Sequence, residues 1–261
     1  MDKLKTVFQR HNRFGRLIER QDERDFPFYN GQPMEISTKQ WIVLWVSVFI
    51  GFLALSLIPA STNVASLIPR ILFLAIPLAT IIYITKDKWK SLFHKPTLGD
   101  FGAIIFYLIL NLIVTFSIAL LVRSIFGVNS NTATDGLATA GSLEIIAFYI
   151  GTGFQLMGEE IFTIIPFLAL MYFFYTKGKV TRKQAIVWAL ILSSIWFALA
   201  HLPTYGWNLI QVLLVIGTAR IVLTLAYIRT KNLWVSFGAH LLNDWIIFTV
   251  TMLAAASVVV G

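Results

Sequence analysis

The sequence predicts an all-α protein, a polytopic bundle of about seven or eight transmembrane helices. Three observations lead there. The 261 residues are 57% hydrophobic and only 13% charged, against about 25% charged in soluble domains. Seven apolar runs follow one another from residue 41 onward, each about long enough to cross a ~30 Å hydrocarbon layer. The basic residues gather in every second connection, the pattern by which a multispan protein records its orientation. Backbone groups in hydrocarbon must be satisfied within the segment, so helices are expected rather than open strands.

Residues 1–40 form a basic, polar segment expected at the cytoplasmic surface. Leu4, Val7, Phe8, His11, Phe14 and Leu17 recur near helical spacing, with Lys3, Lys5, Arg10, Arg13 and Arg16 between them. This predicts an amphipathic helix on the inner membrane surface, with a disordered tail as the alternative. Pro27 and Pro33 break whatever precedes the first span. A polar stretch of this length ahead of the first apolar run argues against a cleavable signal peptide.

Spans are predicted near 41–58, 67–85, 101–122, 155–175, 185–202, 209–228 and 233–256. Residues 143–154 are also apolar. They could form an extra short helix, a re-entrant piece, or the start of one long helix, and Gly151, Gly153 and Gly158 allow a break. Lys86, Lys88, Lys90 and Lys95 follow the second span; Lys177, Lys179, Arg182 and Lys183 follow the fourth; Arg229 and Lys231 follow the sixth. All these loops fall on the side of the N-terminus. The expectation is a multi-pass plasma-membrane protein with a cytoplasmic N-terminus. The chain divides into the 1–40 segment, N-terminal transmembrane helices over 41–140, and a core carrying the chemistry over 141–261.

The net charge of +8 is explained by this topology and is not a nucleic-acid signal. With no cysteine in the chain, disulfides, thiolate metal sites and cysteine nucleophiles are excluded.

Polar groups inside the apolar runs point to function, since a carboxylate at the bilayer centre costs roughly 2.5–3.5 kcal/mol on insertion scales. Glu159 and Glu160 are adjacent within one run. Neighbours on a helix are about 100° apart, so only one can face a given centre and the other must pair elsewhere. Phe197 and His201 share a helical face at i and i+4, and so do His240 and Asp244. A carboxylate, two imidazoles and one further polar group from three helices suit several chemistries. They can activate water and hold a tetrahedral oxyanion. They can hold a metal such as zinc through Glu159, His201 and His240. They can also relay protons in a small transporter. The structural alternative is that these groups only pack between helices. Trp41, Trp188, Tyr205 and Trp207 read as interface anchors.

These residues carry a resemblance to a family. The chain resembles the CAAX-protease and bacteriocin-processing enzymes (the CPBP or Abi family), intramembrane proteases related to the prenyl-protein endoprotease. That family carries E-E-x-x-x-R, F-x-x-x-H and H-x-x-x-[D/N] on successive helices. Here the matching residues are Glu159-Glu160, Phe197 with His201, and His240 with Asp244. The resemblance implies that Glu159 activates water with His201 assisting. It implies that His240 and Asp244 stabilise the oxyanion or orient the substrate carbonyl. It also implies a (metallo)endopeptidase acting on a peptide or membrane-tethered protein, in bacteriocin immunity or peptide maturation.

An ionised Asp244 cannot donate a hydrogen bond to an oxyanion. Asp244 must therefore be protonated, bind a cation, or act by orienting His240; Asn243 is the nearby neutral donor, one position off.

One departure matters. The family's arginine would fall at position 164, which is Ile164 here. Arg220, deep in the sixth span, is the candidate replacement, and an Arg220–Glu160 pair is predicted. The missing arginine also motivates a rival reading, a non-catalytic member that binds a membrane partner such as a sensor kinase or a toxin receptor. His201, near the outer end of the fifth span, hints that the pocket lies toward the outer leaflet.

Overall fold

The computed structural model describes residues 13–260. Among them, seven helices are long and apolar enough to cross a membrane. They are α1 Thr38–Leu57, α2 Leu67–Thr85, α3 Leu98–Phe126, α4 Ser142–Tyr172, α5 Arg182–Ala200, α6 Leu209–Thr230 and α7 Leu233–Val260. The protein is thus an all-α, multi-pass helix bundle, with predicted spans and observed helices in the same order. Short 3-10 turns at Lys86–Leu92, Thr132–Thr134 and Leu137–Thr139 lie in the connections. A π-helical turn opens α6 at Val212–Ile216, and another extends α4 through Phe173–Lys177.

Helices α1, α3 and α5 all begin at the basic face, and each begins with a capping box. Ser37 pairs with Gln40, Thr97 with Asp100, and Thr181 with Gln184. Each box satisfies two backbone donors that a helix start otherwise leaves open.

Helix α4 is the axis of the bundle: 83% of its most apolar window is buried, far more than in the other spans. Residues 143–154 are its first turns, so the three openings left by the sequence resolve to one long helix. The glycines do not break it because they serve close packing. A Cβ on Gly158 would lie 2.7 Å from the Phe73 ring, and one on Gly151 would lie 2.6 Å from the Arg70 guanidinium. Small residues let membrane helices approach this closely, and here they dock α4 on α2.

The N-terminal segment departs from expectation. Leu4, Val7, Phe8, His11, Lys3, Lys5 and Arg10 lie outside the described residues. Over Arg13, Phe14, Arg16 and Leu17 the chain makes turns, not an amphipathic helix. Just beyond, the Arg13 guanidinium gathers the carbonyls of Arg20, Asp22 and Arg24 at 2.9, 2.6 and 2.7 Å and folds residues 20–24 back over it.

Residues 13–37 instead seal the basic end of the bundle. Phe26, Phe28, Tyr29 and Ile36 are buried in the core beneath the helices. Glu19, fully buried, accepts from Arg182 at 2.6 and 3.0 Å and meets Lys231 at 2.8 Å; Arg182 also reaches Asp25 at 2.6 Å. Burial pushes the Glu19 carboxyl up, but Arg182 and Lys231 outweigh it and hold it below the ordinary carboxylate range. Burial pulls the Lys231 ammonium down to about 8, against the opposing pull of Glu19.

The signs of these two shifts differ. Glu19 contributes stability above its unfolded value near 4.5 that is lost as pH falls through its depressed native value. The unfolded chain holds the Lys231 proton more tightly, so that group adds stability as pH rises from about 8 toward 10.5. Glu19→Gln leaves the buried Lys231 without its carboxylate, while Arg182 keeps Asp25, and should cost about 3 kcal/mol, whereas Lys231→Met should be close to neutral. Thermal unfolding in lipid nanodiscs checks this, and the gap between wild type and Glu19→Gln should shrink from pH 7 to pH 4.

Candidate active site

The three sequence elements converge inside the bundle. α4 brings Glu159 and Glu160, the end of α5 brings Phe197 and His201, α6 brings Arg220, and α7 brings His240, Asn243 and Asp244. As helical geometry requires, the two glutamates diverge. Glu160 turns to α6 and is fully buried, while Glu159 turns to a cavity and retains slight exposure.

Arg220 donates to both oxygens of Glu160, at 2.7 and 3.0 Å, with both side chains at 0% exposure. Its Nε donates to Thr224 at 3.2 Å, and its guanidinium carbon lies 5.0 Å from the centroid of the Phe197 ring. Position 164, where the E-E-x-x-x-R pattern has arginine, is Ile164, and a cation reaches Glu160 from another helix instead. Ile164 and Ile165 are themselves buried in the apolar core.

Glu160 also contacts His240, with Nδ1 of the imidazole 2.9 Å from Oε1. An arginine-paired carboxylate accepts only, so Nδ1 carries the proton and donates to it. Nε2 of His240 is left 3.7 Å from Glu159 and 3.7 Å from Asp244. His201 follows the same logic. Its Nδ1 lies 2.9 Å from the carbonyl oxygen of Phe197, which again fixes the proton there and directs Nε2 outward. The Phe197 ring packs against both imidazoles, with centroids 4.5 Å from His201 and 6.3 Å from His240.

The neighbours of these groups are also tied down. Gln155 donates to Glu159 at 2.9 Å. Asn111 donates to Asn243 at 3.1 Å, and Asn243 donates to Asp244 at 2.9 Å. The Asn243 amide, the nearby neutral donor of the sequence reading, therefore supports Asp244.

Two cavities share Glu159, Arg70, Gln155, Phe197, His201 and Thr204 in their walls. The larger, about 600 Å³, is walled chiefly by apolar residues of α1, α2, α4 and α5. The smaller, about 300 Å³, holds His240, Asn243, Asp244 and Arg220. Residues 57–60, 131–133 and 203–205 contribute to these walls, so the cavities reach the ends of α1, α3 and α5 opposite the basic loops.

Sequence reasoning missed three wall residues. Tyr205, expected as an interface anchor, lines the smaller cavity. Burial pushes its phenol up, and Asp244 and Glu159 push it further, so it stays a protonated donor. The turn that carries it is pinned by Asn129, whose amide donates to the Tyr205 carbonyl at 2.8 Å. Arg70 was legible as a lone cation one turn inside an apolar run, and Gln155 as a polar residue one turn before Glu159. Trp41, also expected at an interface, is buried against Tyr172 instead, with ring centroids 6.0 Å apart. Trp188 and Trp207 are exposed.

Zinc does not fit the donors as they stand. Among the described residues no group of three histidine, aspartate or glutamate side chains could hold a metal ion. The set Glu159, His201 and His240 is therefore not assembled as ligands. His201 is tied to its own helix end, and His240 spends Nδ1 on Glu160.

Removing one partner from a fully buried pair leaves an uncompensated charge. Arg220→Gln should cost about 3–5 kcal/mol. The double variant Arg220→Gln/Glu160→Gln should recover much of that loss. A double-mutant cycle of thermal unfolding measures the coupling.

Neither a curated protein nor a solved structure gives a match to this chain. A family match covers the region where the site is built. Residues 141–246 match the family model described as Rce1-like, type II CAAX prenyl endopeptidase Rce1-like. This region spans the glutamate pair, Phe197 and His201, Arg220, and His240 with Asp244. Over that region the chain is similar to the CAAX protease family of membrane proteins.

Proposed function

We propose that the protein is an intramembrane endopeptidase acting on a peptide or membrane-tethered protein. The observation that carries this reading is the placement of Glu159, His201, His240 and Asp244 around one pair of joined cavities inside the bundle. A second carboxylate, Glu160, is withdrawn from the cavity and neutralised by Arg220.

Glu159 is the general base. It takes a proton from water as the water oxygen attacks the scissile carbonyl carbon, and the Gln155 amide fixes its orientation. The imidazole of His201, with Nε2 turned outward, assists in placing the water. His240, doubly protonated, donates from Nε2 to the developing oxyanion. The carboxylates of Glu160, Glu159 and Asp244 around it balance that charge. Asp244, held by Asn243, orients and compensates His240, and this answers how an acid can serve at that position. The Tyr205 hydroxyl is a further donor in the same cavity. As the tetrahedral centre collapses, the carbon–nitrogen bond breaks and the proton taken by Glu159 passes to the leaving amine. No step runs through a metal.

Two observations favour this reading over its rivals. A non-catalytic partner-binding role was motivated by the missing arginine, and Arg220 supplies a cation to Glu160. A proton path needs openings at both faces, whereas residues 13–37 pack the basic end with buried aromatics and ion pairs. Given a cytoplasmic N-terminus in a plasma membrane, the cavities open outward, toward exported or membrane-tethered peptides. Peptide maturation and bacteriocin self-immunity both use such substrates.

Glu159→Gln should lower turnover by about 10²–10⁴-fold while costing far less stability than Arg220→Gln, since Glu159 is 3.7 Å from His240 and makes no contact ion pair like that of Arg220 and Glu160. His240→Ala should lower turnover comparably. Purified protein in proteoliposomes, assayed for peptide cleavage by mass spectrometry, provides the measurement. Full activity in Glu159→Gln would remove the base from this scheme.

A further inference from the structure

The mechanism leaves one cation of the site unused. Arg70 sits one turn inside α2 and lines both cavities beside Glu159. Its anchors are neutral. Nη1 donates to the Phe148 carbonyl at 3.2 Å, and the guanidinium carbon lies 5.6 Å from the Phe148 ring centroid. Among the described residues no carboxylate oxygen lies within the 4.0 Å of an ion pair. An arginine in a membrane span without a contact ion pair is costly and normally marks a function.

The fold also reserves room for it. The facing residue on α4 is Gly151, where a Cβ would lie 2.6 Å from Nη1 and 3.0 Å from Cδ of Arg70. The side chain is thus held in place while its charge stays open to the cavity. Glu159 is in the same wall but makes no ion pair with Arg70, and open space separates the two opposite charges.

We propose, resting on the peptidase reading above, that Arg70 receives a carboxylate of the substrate. The planar guanidinium matches a carboxylate in a two-bond geometry. The carboxylate belongs to the peptide's C-terminus or to an aspartate or glutamate side chain. The larger cavity around Arg70 offers Leu55, Pro69, Phe73 and Phe162 to the neighbouring side chains. The preferred substrate is therefore an apolar peptide with an acidic group held beside the scissile bond. Arg70 also faces the smaller polar cavity with His240 and Asp244, which favours substrate over a lipid headgroup. Arg70 is a specificity residue; it takes no part in proton transfer.

The test uses full-length protein in proteoliposomes and degenerate libraries of apolar decapeptides in three forms: free acid, C-terminal amide, and amide with one internal aspartate. Binding is measured on Glu159→Gln protein and cleavage on wild type. Arg70→Gln, added to Glu159→Gln, should weaken binding of the acidic forms by about ten- to a hundredfold and leave the plain amide unchanged. Arg70→Lys should keep part of the preference. Gly151→Ala, which displaces the Arg70 side chain without altering its charge, should fall between. The free-acid and aspartate arms identify the source of the carboxylate.

Equal binding of acids and amides by the Glu159→Gln protein overturns the inference, as does equal weakening of both by Arg70→Gln. Competition by an anionic phospholipid in place of the acidic peptide also overturns it. Wild-type cleavage judges the peptidase reading separately. Acid-dependent binding without cleavage fails that reading and leaves Arg70 as an anion receptor.

Discussion

A guanidinium and a carboxylate with no solvent exposure, Arg220 and Glu160, lie at the centre of the bundle. Everything at the site is arranged around them. A buried ion pair of this kind often contributes little net stability, because desolvation offsets its Coulombic gain. What it contributes here is position. Glu160 is fixed by two bonds from Arg220 and then accepts from Nδ1 of His240. That fixes the ring plane of the imidazole and turns Nε2 toward Glu159 and Asp244. Phe197 is held between the same guanidinium and both histidines. One cation therefore orients groups contributed by α4, α5 and α7.

The two ends of the bundle are built differently, and the contrast bears on access. At the basic end, aromatic residues and a network of Glu19, Arg182, Asp25 and Lys231 are packed beneath the helices. At the other end, the connections after α1, α3 and α5 contribute to the cavity walls, and the connection after α3 is braced against the start of α6. Asn129 and Gln211 exchange two hydrogen bonds, at 2.8 and 2.9 Å. A packed basic end and a braced opposite end leave the cavities approached from one side of the bundle.

Much was legible in the residues because hydrocarbon is a severe solvent. Apolar runs of sufficient length must be helices there, so the fold class and the order of spans followed. Polar residues survive in such runs only where they are used or paired, and so Glu159, Glu160, His201, His240 and Asp244 stood out. The Glu160 partner was legible by the same argument, since a second buried carboxylate needs a cation and Arg220 is deep in a span. Less was legible where the medium is mixed. Tyr205 and Trp41 resemble any interfacial aromatic in sequence, and only the turn after α5 and the packing on α4 separate their fates. Phe14 and Leu17 end a helically spaced series, yet among the described residues the chain there makes turns beneath the bundle.

The sequence by itself determined that helices cross a membrane, in what order, and which polar side chains they must shelter, because the cost of charge in hydrocarbon is local and large. Only the tertiary structure decided which of two adjacent glutamates faces the cavity, which nitrogen of each histidine is free, and that Arg70 stands in the cavity wall without an acid partner. Those outcomes depend on how helices rotate and cross when glycine and phenylalanine faces pack together, and that information is spread over contacts between residues distant in the chain.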